Sequence, residues 1–204
     1  MPYLDQSFDT KRETWEREHY TGHEEFSLFL KETFATDTVT FSRRDLFNVA
    51  NEDFKAAIFS IIFWGYPRNM RGNSFKAILT SLPDIEKLLL QTRELDVDSY
   101  MRVCQRLKGK GIGLSTLSKF LYFFGFRIEE KLCLILDSRI IQVLNARTFV
   151  ELNMDGIITD WNKEDYYFDY LKIMEDASNR YHFSVHQLEL FLFLFGRNLK
   201  STLI

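Results

Sequence analysis

With 204 residues, 46% of them hydrophobic, the chain can bury a sizeable core as one domain or two closely packed lobes, which argues against disorder. A net charge of −3 speaks at first sight against a polyanionic partner, and the two cysteines, Cys104 and Cys133, cannot supply the four thiolates of an iron–sulfur cluster. No basic segment precedes an apolar run in residues 1–5, and runs such as residues 56–64 are too short to cross a bilayer, so a soluble, cytoplasmic monomer with no membrane partner is expected.

Residues 9–19 are charged, with Trp15 as their one large apolar anchor, and read as a peripheral helix or partly ordered stretch within an N-terminal arm of about residues 1–22. His19 and His23 stand four apart, but no third ligand lies near them, so they read as surface residues and no metal is assigned. Phe26, Phe29, Leu30 and Phe34 recur at helical spacing and predict a core-facing stripe. Ser42 with Asp45 has the form of a capping box opening a short helix to Ala50. Residues 53–63 are so nearly all apolar that their helix must be buried on several sides.

That helix runs into Trp64, Gly65, Tyr66, Pro67, Arg68, Asn69, Met70, Arg71 and Gly72. Such a loop offers an aromatic face to an extruded base and the guanidinium groups of Arg68 and Arg71 to phosphates; the plainer reading is a helix connection anchored by Trp64. Residues 74–81, 83–93 and 98–107 predict three more helices, with Pro83 in a first turn and Asp98 as an N-cap. Asn162 with Asp165 caps a long helix through about Ser178, and Ser184 with Gln187 caps the last, rich in Phe191, Phe193 and Phe195. His182 and His186 read as surface residues like the first pair. No period-two segment of convincing length is present, so the expected fold is all-α, a single domain over residues 1–204 without repeat or linker.

The charge is unevenly spread. Residues 54–83 hold no acid, only Lys55, Arg68, Arg71 and Lys76; residues 99–128 again hold none, with Arg102, Arg106, Lys108, Lys110, Lys119 and Arg127. Ten positive charges therefore sit in two acid-free windows, and the remainder of the chain carries −13. Such windows fit DNA as a partner better than the net charge suggests.

The second window contains the stretch around which the rest is organised. Lys108, Gly109, Lys110, Gly111, Ile112 and Gly113 form a glycine-rich turn whose amides can approach a phosphate, and the helix that follows aims its N-terminal dipole at the same anion. Downstream, Leu134, Ile135 and Leu136 lead to Asp137, a lone carboxylate at the start of a helical stretch over residues 138–144. The catalytic and hairpin segment spans about residues 99–145.

At these residues the chain resembles the helix-hairpin-helix DNA glycosylases, in which a Gly-x-Gly hairpin holds a phosphate and an Asp opening a later helix performs the chemistry. Residues 118–123 followed by 134–137 are most similar to the bacterial proteins with an 8-oxoguanine-glycosylase fold, and the similarity extends from about Ile61 to the C-terminus. The resemblance implies two helical lobes with a cleft between them, and a lysine paired with the aspartate. Eighteen residues separate Lys119 from Asp137, close to the family interval. Better-known members carry that lysine almost directly after Gly-x-Gly, where this chain has Ser115, a departure that would imply a glycosylase without lyase activity. Lys119 lies one helical turn further along the same face and reaches nearly the same point.

The resemblance also implies a base pocket drawing on Trp64, Tyr122 and a C-terminal helix that in eukaryotic relatives lends a Phe and a Gln; here Phe195 matches the Phe, and Phe191 stands where the Gln is expected. Substrates it implies are 8-oxoguanine-type damage or, in an enzyme serving defence, a modified base of phage DNA. Chemically, Asp137 would stabilise positive charge on the anomeric carbon as the base departs, and Lys119 would attack that carbon to give a Schiff base. A non-catalytic helix-hairpin-helix DNA-binding module is the competing reading; the lysine and aspartate at glycosylase spacing speak against it.

Overall fold

The computed structural model describes residues 2–17, 20 and 22–199, and His19 lies outside them. In chain order come β1 (Ser7–Lys11), α1 (Arg12–Trp15), α2 (Glu24–Thr33), β2 (Thr38–Ser42), α3 (Arg43–Glu52), α4 (Phe54–Gly65), α5 (Ser74–Thr80) and α6 (Leu82–Leu89). There follow β3 (Glu94–Leu95), α7 (Val97–Lys108), α8 (Leu114–Phe123), β4 (Arg127–Ile128), β5 (Lys131–Leu132), α9 (Ser138–Asn145), α10 (Tyr167–Tyr181) and α11 (Val185–Phe195). The described residues are mostly helical, but not wholly so. β1 and β2 pair antiparallel from Ser7 opposite Ser42 to Lys11 opposite Thr38, and β3, β4 and β5 form a small second sheet. Five-residue strands such as Thr-Val-Thr-Phe-Ser carry the right β-branched and aromatic residues but are too short to show a period in sequence.

Within the N-terminal arm, residues 7–15 form a strand and a short helix that pack on the core. Trp15 is fully buried and stacks on Phe63 with ring centroids 4.3 Å apart. Its indole donates to the Thr10 hydroxyl at 2.8 Å, and that hydroxyl donates to the Pro67 carbonyl at 2.9 Å. β1 is thereby tied to the loop after α4, and Phe8 is carried toward the interior.

α4 and α8 are the two central helices. Every residue from Ala57 to Trp64, and every one from Thr116 to Phe123, is buried, and Trp64 meets Phe123 edge-on at 5.3 Å. Uniform apolarity predicts this for α4; in α8 it drags Thr116, Ser118 and Lys119 inside with the aromatics. The capping boxes at Ser42 with Asp45 and Ser184 with Gln187 both form, and Asp53 caps α4. Two caps differ from expectation. Asp96, not Asp98, accepts from the Ser99 amide and starts α7. The Asn162 side chain accepts from the Thr159 amide and hydroxyl, so it shapes the preceding turn while α10 begins uncapped at Tyr167.

Cys104 and Cys133 are free, buried thiols, pushed by burial up to about 11 and about 12, which keeps them protonated and unreactive. Among the described residues no helix is long and apolar enough to cross a membrane.

Candidate active site

The hairpin between α7 and α8 has one internal glycine and two open ones. Gly111 has φ +78°, and a Cβ there would lie 2.7 Å from the Ser74 carbonyl, so both backbone conformation and packing demand glycine. Around Gly109 and Gly113 a Cβ would meet nothing within 4 Å, which leaves the backbone approachable from outside. Gly113 opens α8 without a side-chain cap, in the way that suits an anion at a helix N-terminus. Lys108, Arg68 and Arg71 are exposed and, among the described residues, carry no ion pair. Lys110 differs: its ammonium pairs with Asp84 at 2.6 Å and holds that exposed carboxyl below its usual range.

Lys119 and Asp137 line one cavity of about 30 Å³, together with Phe8, Arg43, Trp64, Gly65, Ile135, Glu189 and Phe193. Their juxtaposition is set by the residues next to them. The Leu136 amide donates to the Ser118 hydroxyl at 3.1 Å, stitching the extended segment before Asp137 to α8. On its other side that segment is held by Tyr167 and Tyr170, whose hydroxyls donate to the carbonyls of Leu134 (2.7 Å) and Ile135 (2.9 Å). Asp137 then caps α9, and both capping amides, of Arg139 and Ile140, bond to Oδ1. Among the described residues Oδ2 has no hydrogen-bond partner.

The Lys119 side chain is 4% exposed. Its ammonium donates to the Ser115 carbonyl at 2.7 Å and hydroxyl at 3.1 Å, and lies 5.0 Å from the centre of the Tyr66 ring. Burial pushes the Tyr66 phenol upward, but the charge of Lys119 and bonds with Thr116 and Ser115 outweigh this and hold it below its ordinary value.

Part of the cavity wall is a fully buried ion pair that the sequence reading missed. Arg43, the first residue of α3, donates from Nη1 to Glu189 Oε2 at 2.6 Å and from Nη2 to Oε1 at 3.2 Å. The same guanidinium bonds Gln6 at 2.9 Å and the Tyr122 hydroxyl at 3.2 Å, and lies over the rings of Trp64 and Tyr122. Burial raises the Glu189 carboxyl, and the attraction of Arg43 opposes that rise. One signal for it was present: Glu189 is the single acid in the apolar run of α11.

The remaining base-pocket expectations are redistributed. Trp64 is on the cavity wall, and among the described residues its buried indole N–H has no hydrogen-bond partner. Tyr122 is not on the wall; its hydroxyl sits behind Arg43 and bonds His186 Nδ1 at 3.0 Å. His186 is accordingly not a surface residue: it is half-buried, stacks on Tyr3, and is pushed down to about 4 by burial and by Arg43. Phe191 faces a different cavity, about 570 Å³, with Phe149, Leu152, Phe183 and Leu188, and Phe195 is 44% exposed. The residues of α11 that reach Lys119 and Asp137 are instead Glu189 and Phe193, four apart on one face, because the ion pair to Arg43 fixes the rotation of the helix. Size does not mark the site here: the larger cavity is walled almost wholly by apolar groups, whereas the small one gathers the charges.

Residues 2–193 match the model of the family described as "Putative 8-oxoguanine DNA glycosylase OGG-like protein". The chain belongs to this family. Membership in the OGG-like family supports a DNA glycosylase, and hence DNA binding, as the general class. No curated protein and no solved structure matches the chain.

Proposed function

We propose that the chain is a base-flipping DNA N-glycosylase in which Asp137 and Lys119 carry the chemistry, acting as a single-domain monomer with the cavity at the floor of a cleft between two helical lobes. The observation that carries this reading is the meeting, in one small cavity, of a buried lysine and an N-capping aspartate at the family interval.

DNA is gripped by Lys108, the amides around Gly109 and Gly113, Ser115, and Arg68 and Arg71, with Lys110 weakened by Asp84. The extruded nucleotide then brings its anomeric carbon to the cavity. As the glycosidic bond breaks, its electron pair leaves with the base, and the free Oδ2 of Asp137 stabilises the positive charge left on the sugar. Asp137 takes a proton from the Lys119 ammonium and passes it to the departing base; the freed amine bonds to the anomeric carbon, a second N–H proton goes to the ring oxygen as the sugar opens, and the resulting Schiff base permits β-elimination, in which the C2′ proton passes to Asp137 and the 3′ phosphate leaves. Some 30 Å³ is about the space of one water molecule. A base therefore gains admission only if side chains of the wall move aside.

The walls favour particular bases. The Glu189 carboxyl, whose two oxygens accept from Arg43, offers acceptors to a base, and the Trp64 N–H, unpartnered among the described residues, only donates. A base edge with adjacent N–H groups and a nearby carbonyl suits this pair; one with a bare ring nitrogen facing Glu189 does not. Oxidised guanine meets that demand, and so would a phage base with the same edge. Base release from duplex oligonucleotides carrying a panel of oxidised and modified bases tests the reading. Glu189→Gln should reorder the panel and Asp137→Asn should silence it; release at the wild-type rate by Asp137→Asn on every substrate would refute the catalytic assignment.

A further inference from the structure

Gly65 ends α4 with a backbone that any L-residue can adopt, since its φ is not positive. Alanine is the better helix former, so local propensity gives no reason for glycine here. The reason lies across the cavity wall. A Cβ on residue 65 would stand 2.8 Å from Cδ of Lys119, 2.9 Å from its Cε and 3.9 Å from its Nζ, and these are the three nearest heavy atoms. The first two separations are too short to exist, so something must yield. What yields is the flexible end of the lysine, not backbone, which costs the fold little and moves the amine.

We propose that Gly65 is a positioning residue for Lys119. Its missing side chain is a slot in which the lysine stem lies along the end of α4, so that the ammonium is delivered between the Ser115 carbonyl and hydroxyl and the ring of Tyr66. Any side chain at position 65 evicts the stem from the cavity wall that Lys119 shares with Asp137. This rests on the reading of Lys119 as nucleophile. Gly65 touches neither DNA nor base in this account; it acts only through the lysine.

The test compares wild type, Gly65→Ala, Lys119→Ala and the double variant, each as the full chain, on an abasic-site duplex. Three quantities are read: the thermal midpoint, the DNA affinity without reductant, and the single-turnover rate of borohydride trapping at saturating protein. For Gly65→Ala we expect affinity within twofold of wild type, an unlowered midpoint, and trapping slowed at least tenfold. A merely structural glycine would move midpoint and affinity along with the rate. In the Lys119→Ala background, where the obstructed stem is gone, adding Gly65→Ala should change neither midpoint nor affinity. Trapping by Gly65→Ala at the wild-type rate, with none by Lys119→Ala, would overturn the slot and leave the nucleophile standing. A midpoint lowered by Gly65→Ala in both backgrounds would also overturn it, because something other than the lysine would have had to move. Wild-type trapping by Lys119→Ala would remove the nucleophile and the slot together.

Discussion

The hairpin and the cavity are built on opposite principles. The hairpin is contiguous, exposed and made of groups that water already solvates: Lys108, Gly109 and Gly113 lie within six residues, with open space over both glycines. The cavity is assembled across the whole chain, from Phe8 to Phe193, and three of its charged residues, Arg43, Lys119 and Glu189, are buried while Asp137 is partly exposed. In the proposed function the difference separates two tasks. A polyanion is gripped by charges that are free to meet it, whereas bond breaking calls for groups fixed beforehand in a dry site.

Substitutions should therefore divide cleanly between the two regions. The largest effect is expected for Asp137→Asn, which removes charge at the reacting centre and should slow base release by about a hundredfold or more while leaving DNA affinity nearly unchanged. Gel-shift and single-turnover assays on one preparation check this. Arg43→Ala should follow, since it leaves the Glu189 carboxyl without its partner in the interior; a loss of about 3–5 kcal/mol in denaturant unfolding is expected.

Smaller effects belong to the hairpin. Lys108→Ala should weaken binding and lower the slope of log affinity against log salt by about 0.9, with base release from saturated complexes unaltered. Lys110→Ala should do less than Lys108→Ala, because Asp84 already neutralises it, and Asp84→Ala should tighten binding. If the two lysines prove equal, the ion pair does not persist in solution.

A pH dependence of stability belongs to neither region's DNA contacts. His186 is held below its ordinary 6.5, at about 4, so the unfolded chain binds more protons than the folded one between those values. Its contribution to stability is complete above about pH 6.5 and is lost as pH falls toward about 4. Relative to His186→Gln, wild type should lose thermal midpoint over that window; parallel curves would contradict the burial of His186.

The same contrast explains what could be read without a structure. The glycine turn, Lys119, Asp137 and the capping boxes are local patterns whose spacing carries their meaning. The Arg43–Glu189 pair joins residues 146 apart, and although the lone acid of α11 hints at a buried partner, no local pattern names Arg43. Phe191, Phe193 and Phe195 look alike along α11, so sequence alone does not single out Phe193, which shares the cavity with the lone buried acid Glu189. The opening strand was missed for another reason: its five residues are ordered by pairing with β2 and by the burial of Trp15, both tertiary effects.

The central claim is that Lys119 attacks the sugar within the cavity it shares with Asp137. Borohydride trapping on an abasic-site duplex measures this directly. Wild type and Ser115→Ala, in which the Ser115 carbonyl still holds the ammonium, should form the covalent adduct, while Lys119→Ala should form none and nick no strand. Undiminished trapping by Lys119→Ala would contradict the account, as would efficient release of free base by that variant with an intact abasic site left behind, since water would then be the nucleophile.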